Sequence, residues 1–340
     1  MTAPAPSPRC SVALCTYNGA RLLSHQLESI LGQTRRPDEL VVSDDASTDG
    51  TWEIIRRFAG RAPFPVRASR NERNLGVTRN FERAIRLCEG EWIALSDQDD
   101  VWRADKLQAL ESALADDPQA EVVFTDAEVV DEELRPLGYS LWVAADFDGR
   151  KRQRARRGRL FEVLLWRNVV TGATMALRAR VREVVLPIPD GWVHDGWIAL
   201  VAAATGRVAM LEQPLIKYRQ HVENQIGVEK LTFSQRLDRV MRAPSADYAR
   251  QRRQFEAARE RLVSLGVGRR QPELLTRLDG KLAHLAARVR LPGPRWRRLP
   301  TVGRELLALN YHRYSSGWLS AFKDITQSSV HRGDSTSASV

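Results

Sequence analysis

Short apolar runs alternate with longer amphipathic stretches through the first 125 residues. Residues 11–16, 39–44, 65–69, 91–95 and 120–124 are β-rich and read as strands. Between them, residues 21–31, 51–58, 77–87 and 104–115 carry apolar side chains at intervals of three and four, the period of an amphipathic helix. Alternation of this kind predicts an α/β fold, a mostly parallel central sheet flanked by helices on both faces. From about 127 to 225 the pattern is less regular: a loop-like stretch, a strand at 174–178, a helix opening at Asp195 and a strand at 208–211. Beyond Gly227 the chain turns Arg-rich and helical, with helices predicted at 233–265, 273–289 and 301–309, separated by Gly and Pro. No internal repeat is visible.

Composition narrows the class. At 340 residues with 43% apolar content the chain can bury a substantial core. Residues 1–8 lack the basic start and apolar centre of a signal peptide. The longest weakly polar run, Trp197 to Leu211, is interrupted by Thr205-Gly206-Arg207 and is too short to span a bilayer. Three cysteines, Cys10, Cys15 and Cys88, are an odd number without metal-ligand spacing, so neither a disulfide framework nor a zinc site is expected and a cytoplasmic setting fits. The net charge of +10 is unevenly placed: residues 231–340 hold 21 Lys and Arg against 9 Asp and Glu. A second concentration, residues 150–159, has seven basic residues in ten. An acidic body with basic surfaces suggests docking to something anionic, a membrane face or nucleic acid, although a charge run can equally be a solvated face.

Chemistry concentrates where strands end. Asp97-Gln98-Asp99-Asp100 follows the fourth strand, and Asp44-Asp45-Ala46-Ser47-Thr48-Asp49-Gly50-Thr51 follows the second. In open α/β sheets the carboxyl ends of the strands form the ligand crevice, and hard carboxylate oxygens there suit Mg²⁺ or Mn²⁺ holding a diphosphate. Asp residues also cap helices and build turns, so spacing alone leaves both readings of these clusters open. Thr16-Tyr17-Asn18-Gly19 stands where a G-x-G-x-x-G would follow the first strand. No Walker-type phosphate loop occurs either, which argues against a dinucleotide site and against a nucleotidyltransferase.

With these motifs in order, the chain resembles the family-2 glycosyltransferases. The resemblance rests on Ala13 to Gly19, Val41 to Thr51, Asn74-Leu75-Gly76-Val77 and Leu95 to Asp100. Within that family it is most similar to the bacterial rhamnosyltransferase branch, through Asp97 to Trp102, Asn168 to Gly172, His194 to Leu200 and Tyr218-Arg219-Gln220-His221. The resemblance implies a GT-A fold and inverting transfer of a sugar from a nucleotide diphosphate, with Mn²⁺ or Mg²⁺ as cofactor. It implies a catalytic domain at 9–227, nucleotide-binding to about 126 and acceptor-side beyond, after a flexible N-terminus expected at 1–8. Composition adds a basic helical extension at 228–327 and, from its Ser-rich polar character, a disordered tail at 328–340. The implied donor is dTDP-linked L-rhamnose, with a UDP-linked hexose as the alternative, and the acceptor a cell-surface glycan or lipid-linked saccharide. Residues 150–159 and the basic C-terminal helices would rest on the inner face of the plasma membrane. A nucleic-acid-binding role for the tail is disfavoured by the acidic sheet edge.

Carried over by position, Thr16, Tyr17, Asn18 and Asn74 line the donor, Asp45 or Asp44 reads the base, and Asp97 approaches the ribose or metal-bound water. Asp99 would bind the metal, and His221 the metal or, with Arg219, the diphosphate. Asp195 would be the general base, with Thr171, Gly172, Trp192, His194 and Trp197 on the acceptor side. Taken alone, Asp195 also reads as a helix N-cap, and Trp102, Trp192 and Trp197 read equally as sugar-stacking or core residues. The sequence departs from the commonest family wording at Ala46, where Gly is usual, and at Ser43, where an aliphatic is frequent.

Overall fold

Every residue of β1 (Cys10–Thr16), β2 (Glu39–Asp44) and β4 (Trp92–Ser96) is buried, as expected of parallel strands covered on both faces. The computed structural model describes residues 9–220 and 246–326. Residues 1–8 and 328–340, and the first part of the helix expected from 233, lie outside the described residues. Two compact units divide the chain: Met1–Leu164 with Asn168–Lys230, and Leu165–Arg167 with Leu231–Val340.

The first unit is built on one sheet. β3 (Val66–Arg70), β5 (Val101–Trp102), β6 (Ala120–Val130), β8 (Met175–Arg178) and β9 (Arg207–Arg219) join the three buried strands in the order β3-β2-β1-β4-β8-β6-β9-β5, and β7 (Pro136–Ser140) pairs with β6. The half expected to bind nucleotide, β3-β2-β1-β4, is wholly parallel. In the rest β8 runs antiparallel to β4 and β6, and β5 and β7 are antiparallel to their partners, so the sheet as a whole is mixed. Helices α1 (Leu23–Leu31), α2 (Thr51–Ala59), α3 (Val77–Leu87) and α4 (Lys106–Asp116) follow the sequence pattern closely.

Topology decides where the chemistry collects. β1 lies between β2 and β4, so the strand order reverses there, and the register sets Thr16 opposite Asp44 and Leu14 opposite Ser96. The loops after β1, β2 and β4 therefore open at one edge, the switch-point crevice of an α/β sheet. Because β8 is antiparallel to β4, with Ala94 opposite Ala176, the turn entering β8 arrives at that same edge.

The basic run is not a loop. Short helices α5 (Leu141–Ala144) and α6 (Gly149–Arg154) precede a wide turn at Ala155–Arg159, in which Gly158 takes φ +75°, and then α7 (Leu160–Trp166). Asp148 caps α6 by accepting from Lys151 N at 3.0 Å. Lys151 pairs with Asp148, Arg152 and Arg156 with Glu212, and Arg159 with Glu162. Four of the seven cations are thus matched within the protein.

α8 (Arg182–Val185) and the nearly all-buried α9 (His194–Thr205) complete the first unit. The second unit is helical, with helices at Ala246–Ser264, Val267–Arg270, Pro272–Val289, Leu299–Leu307, Asn310–Tyr314 and Trp318–Thr326. Among the described residues no helix is long and apolar enough to cross a membrane. The three cysteines are free and buried, and burial pushes Cys88 up to about 12 and the other two thiols well above their ordinary value, which leaves them inert.

Candidate functional site

The loops after β1 and β2 are tied to each other by their own polar side chains. Asp44 is fully buried; it accepts from Thr16 Oγ1 at 2.8 Å, from Ser47 Oγ at 2.5 Å and from Ser47 N at 3.1 Å, and Arg70 lies 3.4 Å away. A carboxylate so enclosed shapes the turn and has no open face for a base. Asp45, also buried, accepts from Asn71 Nδ2 at 2.7 Å, Leu75 N at 2.8 Å and Gly76 N at 2.9 Å, so it anchors the segment that carries Asn74. Asn74 itself accepts from Gly76 N at 2.9 Å. Between the two acids and Ser47, Ala46 sits at φ +61°. Glycine adopts that conformation without strain, which accounts for the family's usual Gly at this position.

Tyr17 is exposed, and its backbone is clasped by Gln98: Tyr17 N donates to Gln98 Oε1 at 2.8 Å and Gln98 Nε2 donates to Tyr17 O at 3.0 Å. Gly19 permits this clasp, since a Cβ there would lie 2.2 Å from Gln98 Oε1. Asn18, at φ +48°, bridges to the β2 loop through Ser47 Oγ and Thr48 N. Gln98 thus joins the loop after β1 to the acidic tetrad.

The tetrad crowds like charges. Asp97 is pushed up to about 8, first by burial and then by Asp99 and Asp195, while Lys106 draws it back. Asp100 is raised for the same reasons, burial first and then Asp99 and Asp97. Asp100 Oδ1 accepts from Arg219 N at 3.1 Å, and Oδ2 is buried without a hydrogen-bond partner. Arg219 differs from its expected diphosphate role. It is the buried last residue of β9, donating through Nε to Asp99 O at 2.8 Å and through Nη1 to Glu132 O, so it holds the tetrad's backbone.

Lys106 went unrecognised in the sequence. It is fully buried, donates to Ala173 O at 2.7 Å and stands 3.6 Å over the Trp102 ring; burial pushes it well below the ordinary lysine value, and Asp100 and Asp97 oppose that shift only in part. The signal was its place on the buried stripe Lys106, Leu107, Leu110 and Leu114 of α4. A cation on an apolar stripe requires a buried partner. Trp102, buried beneath it, is a core residue.

Asp195 lies in the first turn of α9 but does not cap it; Val193 occupies the N-cap position with no side-chain bond. Its oxygens instead accept from Asn168 Nδ2 at 3.1 Å, Gly172 N at 3.3 Å and Gly196 N. Burial raises Asp195 to about 6, the three donors opposing it. Asp195 is among the charges that raise Asp97, so the two carboxylates lie within electrostatic reach of each other. His194 is buried on Phe81, ring centroids 4.0 Å apart; burial lowers it to about 3, so it is neutral, and both ring nitrogens lack hydrogen-bond partners. Gly172 fits only as glycine, because a Cβ would approach His194 Nε2 to 2.4 Å. Thr171 shapes the same turn, its carbonyl accepting from Thr174 N and Oγ1. Trp192 is half-buried with its carbonyl accepting from Thr78, whereas Trp197 is wholly buried and bonds Val185 O at 2.6 Å. Trp197 therefore supports the site from the core rather than contacting an acceptor.

His221 lies outside the described residues, and among those described no three His, Cys, Asp or Glu side chains form a group that could hold a metal alone. The chemistry of the donor set still fits a hard divalent cation. Magnesium-type sites take one or two carboxylates and complete their shell with substrate phosphates and water, and an orphaned carboxylate oxygen among mutually repelling acids is what such a cation relieves.

The model of the family described as "Glycosyl transferase family 2" matches residues 11–184. The uncharacterized protein Rv1520 of Mycobacterium tuberculosis is 28% identical over 224 residues, 62% of this chain and 58% of that protein. The uncharacterized glycosyltransferase alr2836 of Nostoc is 30% identical over 228 residues, 64% of this chain and 66% of its own length. The chain thus spans less than two thirds of these curated relatives. Staphylococcus aureus TarS residues 1–349, solved in complex with UDP-GlcNAc, superposes with a TM-score of 0.52 over 92% of this chain and 90% of that one; at 16% identity the likeness is one of fold. With the family match covering more than half of its length and the sheet edge built as described, the chain belongs to glycosyl transferase family 2 and has a GT-A-like fold.

Proposed function

We propose that this protein transfers a sugar from a nucleotide diphosphate to an acceptor hydroxyl with inversion at the anomeric carbon. The observation that carries the reading is Asp195: a buried carboxylate titrating near neutrality, held by Asn168 and Gly172 beside the acidic tetrad. A base tuned toward the working pH combines a useful ionised fraction with a strong pull on the proton. The acceptor oxygen attacks the anomeric carbon, the bond to the diphosphate breaks on the opposite face, and the hydroxyl proton passes to an Asp195 oxygen.

Asp99, with Asp97 beside it, is the proposed seat of Mn²⁺ or Mg²⁺. That cation, when bound, neutralises the charge growing on the departing diphosphate. Gln98 and Tyr17 frame the donor, while Asp45 holds the Asn74 segment against it. In this reading Asp44, Arg219 and Trp197 shape the site without touching substrate. The donor proposed is dTDP-L-rhamnose, supported by the likeness of Asp97 to Trp102 and His194 to Leu200 to the rhamnosyltransferase branch. The acceptor class is a cell-surface glycan or its lipid-linked precursor.

A thermal-shift panel of nucleotide sugars with and without Mn²⁺ tests this. Stabilisation by dTDP-rhamnose that requires the metal and is lost in Asp99→Asn is the expected result. A folded protein that no nucleotide sugar stabilises would defeat the reading, and stabilisation by a UDP-hexose alone would replace the donor.

A further inference from the structure

Between residues 291 and 326 the helical unit buries its acids and exposes most of its arginines. Val302, Tyr311 and Ala321 form a small core with Leu291, Leu306 and Ile325 against it. Buried beside them, Asp324 pairs with Arg288 at 2.7 Å and accepts from the Tyr248 and Tyr311 hydroxyls, and Glu305 meets His284 at 2.8 Å. These are the two acids between residues 291 and 326, and both face inward. The exposed charged residues of that stretch are Arg295, Arg297, Arg304 and Arg313.

The same 36 residues expose Trp296 and Trp318, each at 67%, Leu307 at 89%, and Leu299, Leu309 and Phe322. They account for six of the eleven large hydrophobic side chains exposed among the described residues. The arrangement is not random. Trp318 and Phe322 lie one turn apart on the Trp318–Thr326 helix, whose Ser320, Ala321, Lys323 and Asp324 are buried. Arg304 and Leu307 similarly share the open side of the Leu299–Leu307 helix, opposite buried Val302 and Glu305. Arg297 stacks on Trp296 at 4.9 Å.

Indoles and arginines exposed together on short helices are suited to the boundary between lipid headgroups and hydrocarbon. A single-stranded nucleic acid would employ the arginines and aromatic rings but would leave Leu299, Leu307 and Leu309 in water. We propose that the 291–326 face docks on an anionic lipid bilayer, with Trp296, Trp318 and Phe322 entering the headgroup boundary and the four arginines meeting lipid phosphates. The inference stands on this unit alone; its failure would leave the transfer reading untouched, and the converse also holds.

Co-sedimentation of the full chain with phosphatidylglycerol or phosphatidylcholine vesicles tests it, together with tryptophan quenching by brominated acyl chains. The wild type should bind phosphatidylglycerol in preference and release it at high salt. Each arginine near an anionic surface is worth roughly fivefold in partitioning, so Arg297→Gln with Arg313→Gln should weaken binding about 25-fold. Trp318→Ser with Phe322→Ser should weaken it about tenfold or more and reduce the quenching, with the far-ultraviolet circular dichroism unchanged. Equal binding to both lipids, or quenching identical in wild type and the Trp318→Ser, Phe322→Ser variant, would overturn the proposal. So would lipid-free self-association that this variant abolishes, because the face would then be an interface between copies of the chain.

Discussion

Replacing Asp195 by Asn should raise the stability of the fold at neutral pH while removing transfer. Asp195 titrates at about 6 in the folded protein against an ordinary value of 3.8. At 1.36 kcal/mol per pH unit, the ionised form carries a penalty of about 3 kcal/mol above pH 6. The amide escapes that penalty. It retains one acceptor oxygen for Asn168 and Gly196, but its NH₂ then faces the Gly172 N–H, and the lost bond returns about 1–2 kcal/mol. The net expectation is a gain of about 1–2 kcal/mol at pH 7.5.

The sign of the pH dependence is the sharper test. Between pH 3.8 and 6 folded Asp195 keeps a proton that the unfolded chain has released, so wild-type stability falls as pH rises through this window. The advantage of Asp195→Asn should therefore shrink as pH is lowered from 7 to 4 and change sign near the acid end. Denaturant titrations of both proteins across that range, with donor binding measured in parallel, provide the check. Transfer should fall by about 10²–10⁴-fold, the contribution typical of a positioned base, while donor affinity stays. A stability difference that does not vary with pH, or donor binding lost with transfer, would refute the account.

Two other substitutions separate the halves of the site. Gly172→Ala puts a methyl 2.4 Å from His194 Nε2, in a ring already packed on Phe81, and should displace the Gly172 N–H from Asp195. Misplacing a reacting group by about 1 Å can cost 10²-fold; transfer should fall to that degree with donor affinity within about twofold, and equal losses in both would place Gly172 on the donor side. Lys106→Met removes the donor to Ala173 O and the amine that stands over the Trp102 ring. Leaving that buried carbonyl without its donor costs about 1–3 kcal/mol, which for a domain of this size is a fall in Tm of roughly 2–12 °C by calorimetry. An unchanged Tm would show that the lysine carries little.

What could be read from the sequence follows from how local each determinant is. The strands expected at 11–16, 39–44 and 91–95 appear within a residue or two at Cys10–Thr16, Glu39–Asp44 and Trp92–Ser96, because a strand buried on both faces must be apolar along its length. β7, with Pro136 and Gly138 on an edge, and the two-residue β5 carry no such signature. The basic run reads as a loop because the one acid that pairs with both Arg152 and Arg156 is Glu212, far away in sequence. Asp195 is a similar case: its position near a helix start suggests a cap, but its partners Asn168 and Gly172 come from the turn before β8. Motif resemblance brought these residues together where spacing could not. Trp197 and Arg219 illustrate the limit of that route, since resemblance places a residue at the site without saying which way its side chain faces.

The acids of the helical unit and those of the tetrad crevice are treated in opposite ways, and the contrast bears on function more than any single distance. In the helical unit Asp324 receives Arg288 and two tyrosine hydroxyls, and Glu305 receives His284 and Asn310, so each carboxylate is matched. At the sheet edge Asp97, Asp100 and Asp195 are raised by burial, Asp97 and Asp100 are further raised by their neighbours, and Asp100 retains an orphaned oxygen. Asp100 and Asp324 are buried alike, so burial alone cannot explain the difference. Polar groups selected for stability acquire partners; groups left mutually repelling at a strand edge gain theirs from a ligand. The edge thus holds back stabilisation that a cation and a diphosphate would supply together, which is why Asp99→Asn should abolish the joint effect of metal and donor while leaving the unliganded fold intact or slightly more stable.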